Sequence, residues 1–280
     1  ENIVNDGISC QHPYAAIVVA AMAEEVGILH TNPQIVFVPK QNSFGKYNDE
    51  YGNGLYMLEY ESEGEINWTP YNNVQEIIDT DDLLELKQKN PKTLDIHENL
   101  LVRNRLFDIL IGDWDRHAKQ WGWVIQQREE NLAAIPFPAD RENAFFNVDG
   151  VLPSIISNPN VVEQLRPFKN EIDFLPGLVQ PFDRYFLLKT KAEVFEEEAK
   201  YLENNLTDEI IEKSLKLWPE EIYNLNGKEI AEKIKSRRNN LKEIAKKFKE
   251  IIVEKGPLAE KLKGTDDLEL SENEIRCFGC

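Results

Sequence analysis

Residues 106–120 read Leu106-Phe-Asp-Ile-Leu-Ile-Gly-Asp-Trp-Asp-Arg-His-Ala-Lys-Gln120, an apolar run that ends in two carboxylates, an arginine, a histidine and a glutamine. The segment from Leu100 to Ile111 carries apolar residues at a helical period with polar residues between them, which predicts a helix that packs one face. Gly112 can adopt the left-handed conformation without steric cost, so we predict that the helix ends there. Beyond a short polar loop, the apolar alternation from Trp121 to Val124 predicts a strand.

A second acidic position follows at the spacing of a β-hairpin. Asp140 comes directly after the apolar, proline-marked segment 132–139 and before another apolar pair. The first loop carries Asp113 and Asp115. Two carboxylate-bearing loops joined by a short strand can share a cation, because hard divalent cations prefer oxygen ligands.

The motif from Gly112 to Gln120, together with Asp140, resembles the catalytic core of atypical protein-kinase-like enzymes. This group contains the HipA-type serine/threonine kinases, the Golgi casein kinases and the spore-coat CotH kinases. Their catalytic loop often reads Asp-Arg-His, and a later Asp follows a strand. The resemblance covers residues 13–252 in element order, although its specific part is residues 112–120 plus Asp140. It implies an α+β, protein-kinase-like two-lobed fold with a partial small lobe and a mostly helical large lobe.

The resemblance also implies a role for each polar residue of the two loops. Asp115 matches the catalytic Asp that orients or deprotonates the acceptor hydroxyl, and Arg116 and His117 match the structural pair of the catalytic motif. Gln120 and Asp140 match the metal ligands, with Asp113 as a further candidate ligand. Gln120 departs from the commoner Asn or Glu at its position.

The implied cofactors are ATP and Mg²⁺ or Mn²⁺, since phosphoryl transfer depends on positioning and on charge neutralisation by a metal that bridges the phosphates. The implied partners are the nucleotide and a hydroxyl-bearing acceptor of unknown class, which can be a protein, a sugar or a small molecule.

Simpler roles stay open for three of these residues. Asp113 can hydrogen-bond within its own turn, as Asp does in many loops. Asp115 can form an ion pair with Arg116 or Arg105. His117 can serve as a buried brace of the loop instead of a general base.

The upstream segments follow the order of a kinase small lobe. Residues 13–28 form an alanine-rich pattern with Pro at the first turn, which predicts a helix. Residues 34–39 and 54–60 predict two strands. By resemblance, Glu24 or Glu25 would pair with an ATP-binding lysine, and Glu59 and Tyr60 would lie near the adenine. The alternative for Glu24 and Glu25 is a solvated helix face, which is common for a Glu pair near a helix C-terminus.

Residues 1–12 contain neither a lysine nor a Gly-x-Gly motif, although the resemblance places both before the helix. Either the chain is a piece of a longer polypeptide or its small lobe is degenerate. Lys40 and Lys46, the nearest substitutes, lie in a turn-rich stretch that favours surface positions.

Helical spacing dominates after residue 150. The predicted helices are residues 182–188, 193–202, 208–217 and 228–252, and Thr207 is a start signal. We predict a partial small lobe over residues 1–62, a helical large lobe over 63–253, and a polar segment over 254–280. That last segment is expected to be loosely ordered or to begin another domain.

Composition excludes several classes of function. The chain has 280 residues, 41% of them hydrophobic, and a formal net charge of −18, which argues against nucleic-acid binding through phosphate neutralisation. No apolar run approaches the length of a membrane span, so we expect a soluble chain without one.

Cys277 and Cys280 alone are weak evidence for zinc, which needs further ligands. The redox compartment stays open.

Two other functions remain compatible with the sequence. Asp113, Asp115 and Asp140 could serve a metal-dependent phosphoester hydrolase, which would not require ATP. Alternatively, the chain could be a catalytically inactive kinase-like module that binds a nucleotide or a partner, as the missing lysine and the Gln120 departure suggest.

Overall fold

The computed structural model describes residues 11–146, 163–172 and 174–280, which form an α+β structure with two separate sheets. The first helix, α1 (Ala15–Glu25), is followed by the antiparallel pair β1 (Gln34–Val38) and β2 (Gly54–Leu58). A 3-10 turn and the short α2 (Asn48–Tyr51) join these strands. The predicted helix and both predicted strands are therefore present, each slightly shorter than the sequence pattern.

The second sheet carries the motif-bearing segments, and its strand order is β3-β5-β6-β4. Strand β4 pairs parallel to β6, whereas β5 pairs antiparallel to both β3 and β6. The predicted hairpin after the motif is confirmed as β5 and β6, but β3, α3 and β4 were not predicted. In chain order the elements are β3 (Val74–Ile78), α3 (Thr80–Lys89), β4 (Leu94–Ile96), α4 (Glu98–Ile111), β5 (Trp121–Arg128) and β6 (Asn131–Pro138).

The remaining part is helical. The predicted helix 228–252 is two helices that meet at Asn240, and the Thr207 side chain caps its helix by accepting from the Ile210 amide at 3.3 Å. The elements are α5 (Leu175–Leu178), α6 (Pro181–Leu187), α7 (Ala192–Asn205), α8 (Asp208–Leu215), α9 (Glu220–Ile222), α10 (Lys228–Asn239), α11 (Leu241–Lys255) and α12 (Glu272–Arg276).

One large apolar core joins α1 to the helical part. Met22 of α1, Leu106 of α4, Phe195 of α7 and Phe248 of α11 are all fully buried within it. Helix α4 is buried on nearly all sides, including its polar positions, so the prediction of a single packed face was wrong. The reason is that its charged side chains find buried partners of opposite charge.

The segment 254–280 is packed, contrary to the expectation of a loosely ordered tail. Leu258 and Leu262 belong to the main core, and the Arg184 side chain donates to the carbonyls of Gly256 at 2.8 Å and Pro257 at 2.7 Å. Cys277 and Cys280 form a disulfide, so their thiols are not free for zinc. No helix in the described ranges is long and apolar enough to cross a membrane.

Candidate active site

The two acidic loops meet at one end of the β5–β6 hairpin. Helix α4 ends at Gly112, which has a φ of 75°, and the chain then runs through residues 113–117 into the 3-10 turn Ala118–Gln120 that starts β5. The second loop leaves β6 after Pro138. The Ala139 amide donates to the Gln120 carbonyl at 3.0 Å and so ties the two loops together.

Gln120 and Asp140 contact each other through their side chains. The Gln120 Nε2 donates to Asp140 Oδ2 at 3.4 Å, and the Glu142 amide donates to Asp140 Oδ1 at 3.3 Å. Asp140 has a φ of 53°, which is uncommon for a residue other than glycine. Backbone in that region costs about 1–3 kcal/mol and is held by its surroundings, and such positions concentrate at functional sites.

Asp115 and His117 lie partly exposed on the first loop. The His117 Nε2 is 3.8 Å from Asp115 Oδ1, which is too long for a hydrogen bond. Burial lowers the pKa of His117, and the charge of Asp115 opposes that shift, so the imidazole is neutral at pH 7. The Nδ1 of His117 is buried without a hydrogen-bond partner in the described part of the chain. The brace role predicted for His117 therefore has no hydrogen bond to support it.

Arg116 is fully buried and fastens the first loop to the second. Its guanidinium forms an ion pair with Asp113 and donates from Nη1 to the Ala139 carbonyl at 2.9 Å. Its Nε also lies 3.3 Å from Asp108 Oδ2. Arg116 therefore acts as a positioning residue that cannot contact substrate from this place, and its partner is Asp113 instead of Asp115.

Asp113 is buried and engaged through both carboxylate oxygens. Besides the pair with Arg116, it accepts from the Asp115 amide at 3.3 Å, which is the turn role that the sequence left open. Burial raises the pKa of Asp113 to about 7, with the Arg116 charge acting in the opposite direction. The expectation that Asp113 ligates a metal is not supported, because its oxygens face the protein interior.

Asp108 is the buried centre on which both loops are anchored, and sequence reasoning missed it. Three guanidinium groups approach its carboxylate within 3.3 Å: Arg105, Arg116 and Arg141. Arg105 also pairs with buried Asp183 at 2.6 Å. Because Arg141 directly follows Asp140 in sequence, this cluster fixes the second loop as well as the first. Burial lowers the pKa of Arg141 to about 10, although Asp108 opposes that shift.

Glu142 is a further candidate that the sequence analysis did not single out. It is half-buried, and its Oε1 accepts from Gln11 Nε2 at 3.2 Å. Burial raises the pKa of Glu142, and the charge of Asp140 adds to the shift. The two-residue spacing after Asp140 is the one signal that could have indicated it.

The two residues expected near adenine lie at different distances from the loops. Glu59 accepts from the Thr31 hydroxyl and lines a narrow cleft together with Asp140 and Arg141. That cleft has a volume of about 10 Å³, which is room for about one water molecule. Tyr60 is exposed and stacks on Trp68 with a centroid distance of 5.1 Å. The structure therefore brings Glu59, but not the Tyr60 ring, to the Asp140 cleft.

Glu24 and Glu25 lie on the exposed side of α1, as the solvated-face alternative predicts, and the pairing of one of them with an ATP-binding lysine stays a prediction. Glu25 forms a surface ion pair with Lys213 of α8 at 3.3 Å. The physical reason is that the apolar side of α1 is buried in the main core, which leaves both carboxylates toward solvent. Lys40 is exposed and pairs with Asp49, as expected for a surface lysine.

The side chains of the two loops can be compared with the protein ligands that a kinase metal site requires. Over the described ranges, no group of three or more His, Cys, Asp and Glu side chains is arranged to hold an ion. A kinase site needs less from the protein, because one carboxylate and one amide act together with the nucleotide phosphates. Asp140 and Gln120 supply that pair, provided that the Gln120 amide turns its oxygen toward the ion.

The chain has distant similarity to known structures. No protein family model and no curated protein matches the chain. Among solved structures, it is similar to HipA of Shewanella oneidensis MR-1, determined in a toxin–antitoxin complex with HipB and operator DNA. The TM-score is 0.39 at 12% identity, and the alignment covers 84% of this chain and 57% of that one. The chain thus spans little more than half the length of HipA.

Proposed function

We propose that the chain is a metal-dependent phosphotransferase that moves the γ-phosphate of ATP to a hydroxyl acceptor. The observation that carries the proposal is the contact between Gln120 and Asp140, formed where two loops meet, the first of which also carries the partly exposed Asp115. A carboxylate and an amide on adjoining loops, with a second carboxylate on one of those loops, match the minimal protein contribution to phosphoryl transfer.

The proposed roles follow from exposure and contact. Asp140 and Gln120 would hold Mg²⁺ or Mn²⁺, which when bound neutralises charge on the phosphates. Gln120 must then rotate its terminal amide, because the present contact uses its N–H. Asp115 is accessible enough to accept the proton of the acceptor hydroxyl at its carboxylate. Arg116 holds the two loops at a fixed separation through Asp113 and the Ala139 carbonyl.

The hydrolase alternative has less support from the geometry. It requires Asp113, Asp115 and Asp140 to share the metal, and Asp113 is already paired with buried Arg116.

The inactive-module alternative is favoured by one observation. The helix carboxylate Glu25, expected to pair with the ATP-binding lysine, pairs instead with surface Lys213.

Transfer of labelled phosphate distinguishes these functions. The chain is incubated with γ-labelled ATP and Mn²⁺, and label is measured on the chain itself, on casein as a generic hydroxyl acceptor, and as released phosphate. We expect label on protein, lost in Asp115→Asn and Asp140→Ala but retained in the exposed control Asp266→Asn. Equal transfer by all variants would refute the site. Cleavage of p-nitrophenyl phosphate without ATP would indicate the hydrolase, and ATP binding without transfer to either acceptor would indicate the inactive module.

A further inference from the structure

A second, larger cavity lies at the opposite end of the β5–β6 hairpin from Asp140. It has a volume of about 520 Å³ and is lined by Arg128 at the end of β5 and by Ala133 near the start of β6. Ala133 precedes Asp140 by seven positions, which corresponds to about 20 Å along a strand. The volume falls in the range of about 300–1,000 Å³ typical of small-molecule sites. This cavity is therefore separate from the candidate active site.

The wall of the cavity is basic within an acidic protein. Lys87, Arg128 and Lys189 line it, against the two carboxylates Asp95 and Glu98. The charges sum to +1, whereas the whole chain has a formal net charge of −18. A local excess of positive charge on such a chain favours an anionic ligand in this cavity.

Lys87 and Lys189 are each held by a hydrogen bond to a backbone carbonyl and retain N–H groups that can donate to a ligand. The Lys87 Nζ donates to the Leu94 carbonyl at 2.6 Å, and the Lys189 Nζ donates to the Gly279 carbonyl at 2.7 Å. An ammonium group has three N–H donors, so each lysine retains two after these bonds. Fixing the side chains in advance reduces the entropy that a ligand must offset on binding.

His97 adds a neutral donor to the same wall. Its Nδ1 accepts from the Leu100 amide at 3.4 Å, and burial lowers its pKa, so the ring is neutral near pH 7. A neutral imidazole that accepts at Nδ1 carries its proton on Nε2. The ring therefore offers an N–H to a ligand oxygen without adding charge.

Two aromatic rings give the cavity an apolar surface. Phe186 and Phe278 both line it, with ring centroids 5.3 Å apart. The Phe278 amide donates to the Tyr185 carbonyl at 2.9 Å, and Phe278 lies within the loop closed by the Cys277–Cys280 disulfide. These contacts hold the Phe278 ring at the cavity wall, where a flat ligand ring can stack on it.

We propose that this cavity binds a small aromatic anion, with the ring against Phe278, which is backed by buried Phe186, and the phosphate or carboxylate among Lys87, Lys189 and Arg128. The inference does not depend on the proposed phosphotransfer. It assigns the chain a second binding site of defined chemistry, at the opposite end of the β5–β6 hairpin from the metal-type loops.

Phenyl phosphate is the probe, with benzoate as the carboxylate counterpart and phenol as the neutral control. Binding to the full chain is followed by amide chemical-shift changes in two-dimensional NMR. We expect saturable shifts at Gly279 and Ala133 for the two anions, and none for phenol. The variant Lys189→Gln/Arg128→Gln removes two exposed charges from the wall. It should weaken binding about tenfold or more, because charge-assisted hydrogen bonds are lost.

The matched control is Lys191→Gln/Lys200→Gln, which removes two exposed lysines outside the cavity wall. It should bind both probes like the parent. The proposal is refuted if neither anion shifts Gly279 or Ala133 at millimolar concentration. It is also refuted if the control variant loses as much affinity as the cavity variant, because the attraction would then be a general charge effect. Shifts confined to residues around Asp140 would equally overturn it.

Discussion

Replacing Asp108 by Asn tests how the two loops are held. The buried cluster contains the guanidinium groups of Arg105, Arg116 and Arg141 and the carboxylates of Asp108, Asp113 and Asp183. Three positive and three negative charges balance at about pH 8 and above, where Asp113, with its pKa of about 7, is also ionised. The variant keeps the side-chain volume but leaves one positive charge in excess in a region closed to water.

Removing one partner of a buried ion pair typically costs about 3–5 kcal/mol, because the other charge stays desolvated and unpaired. We therefore expect Asp108→Asn to lower the free energy of unfolding by about that amount, without a change in the denaturant slope. Urea unfolding followed by circular dichroism measures the change. Exposed Asp266→Asn is the matched control and should stay within about 0.5 kcal/mol of the parent.

A double variant sharpens the test. Arg141→Met removes one positive charge next to Asp108 and keeps an apolar side chain near Phe107, over which Arg141 now lies at 4.9 Å. In the Asp108→Asn background it should cost less than in the parent, with a coupling of at least about 1 kcal/mol. Strict additivity, or a cost for Asp108→Asn no larger than that of Asp266→Asn, would show that the cluster does not hold the loops as described.

Three further predictions concern single positions. Gly112→Ala should destabilise by about 2–4 kcal/mol in urea unfolding, since its φ of 75° strains an L residue and the added Cβ would lie 2.6 Å from Phe168. A cost for Gly112→Ala below about 1 kcal/mol would contradict this account, since the left-handed backbone alone should cost at least that much. Because the folded-state pKa of Asp113, about 7, exceeds its usual 3.8, the stability that its proton contributes is lost as pH rises from 4 to 8. The parent should therefore lose free energy of unfolding relative to Asp113→Asn over that range, and a flat difference would refute the raised pKa. Reducing the Cys277 disulfide should cost about 2 kcal/mol for so short a loop, measured by unfolding with and without a thiol reductant, and no change would show that the loop adds nothing to stability.

Much of the motif region could be predicted from the sequence. The helical period before Gly112, the left-handed cap and the hairpin leading to Asp140 are local signals, and the structure has all three. Strand β4 escaped prediction because it is only three residues long, and β3 because the consecutive polar residues Gln75 and Glu76 interrupt its apolar alternation. Their formation depends on pairing with β5 and β6.

The buried cluster of Arg and Asp side chains that supports the site could not be predicted, because it depends on contacts between distant segments. In the sequence, Arg105 and Asp108 form an i,i+3 pair that is indistinguishable from one on a solvated helix face. Only the folded chain brings Asp183 and Arg141 against them, 78 and 33 positions away from their partners. The exposed positions of Glu24 and Glu25, by contrast, match the solvated face that a Glu pair near a helix end indicates, while the apolar side of α1 packs into a core formed mainly by later segments.

The most direct test of the central claim is calorimetric titration of the chain with ATP, with and without Mg²⁺ or Mn²⁺. The account predicts metal-dependent binding that is retained in Asp115→Asn and in Asp266→Asn but abolished in Asp140→Ala. Binding of ATP by Asp140→Ala with the affinity and metal dependence of the parent would contradict it, and so would the absence of ATP binding by the parent with either metal.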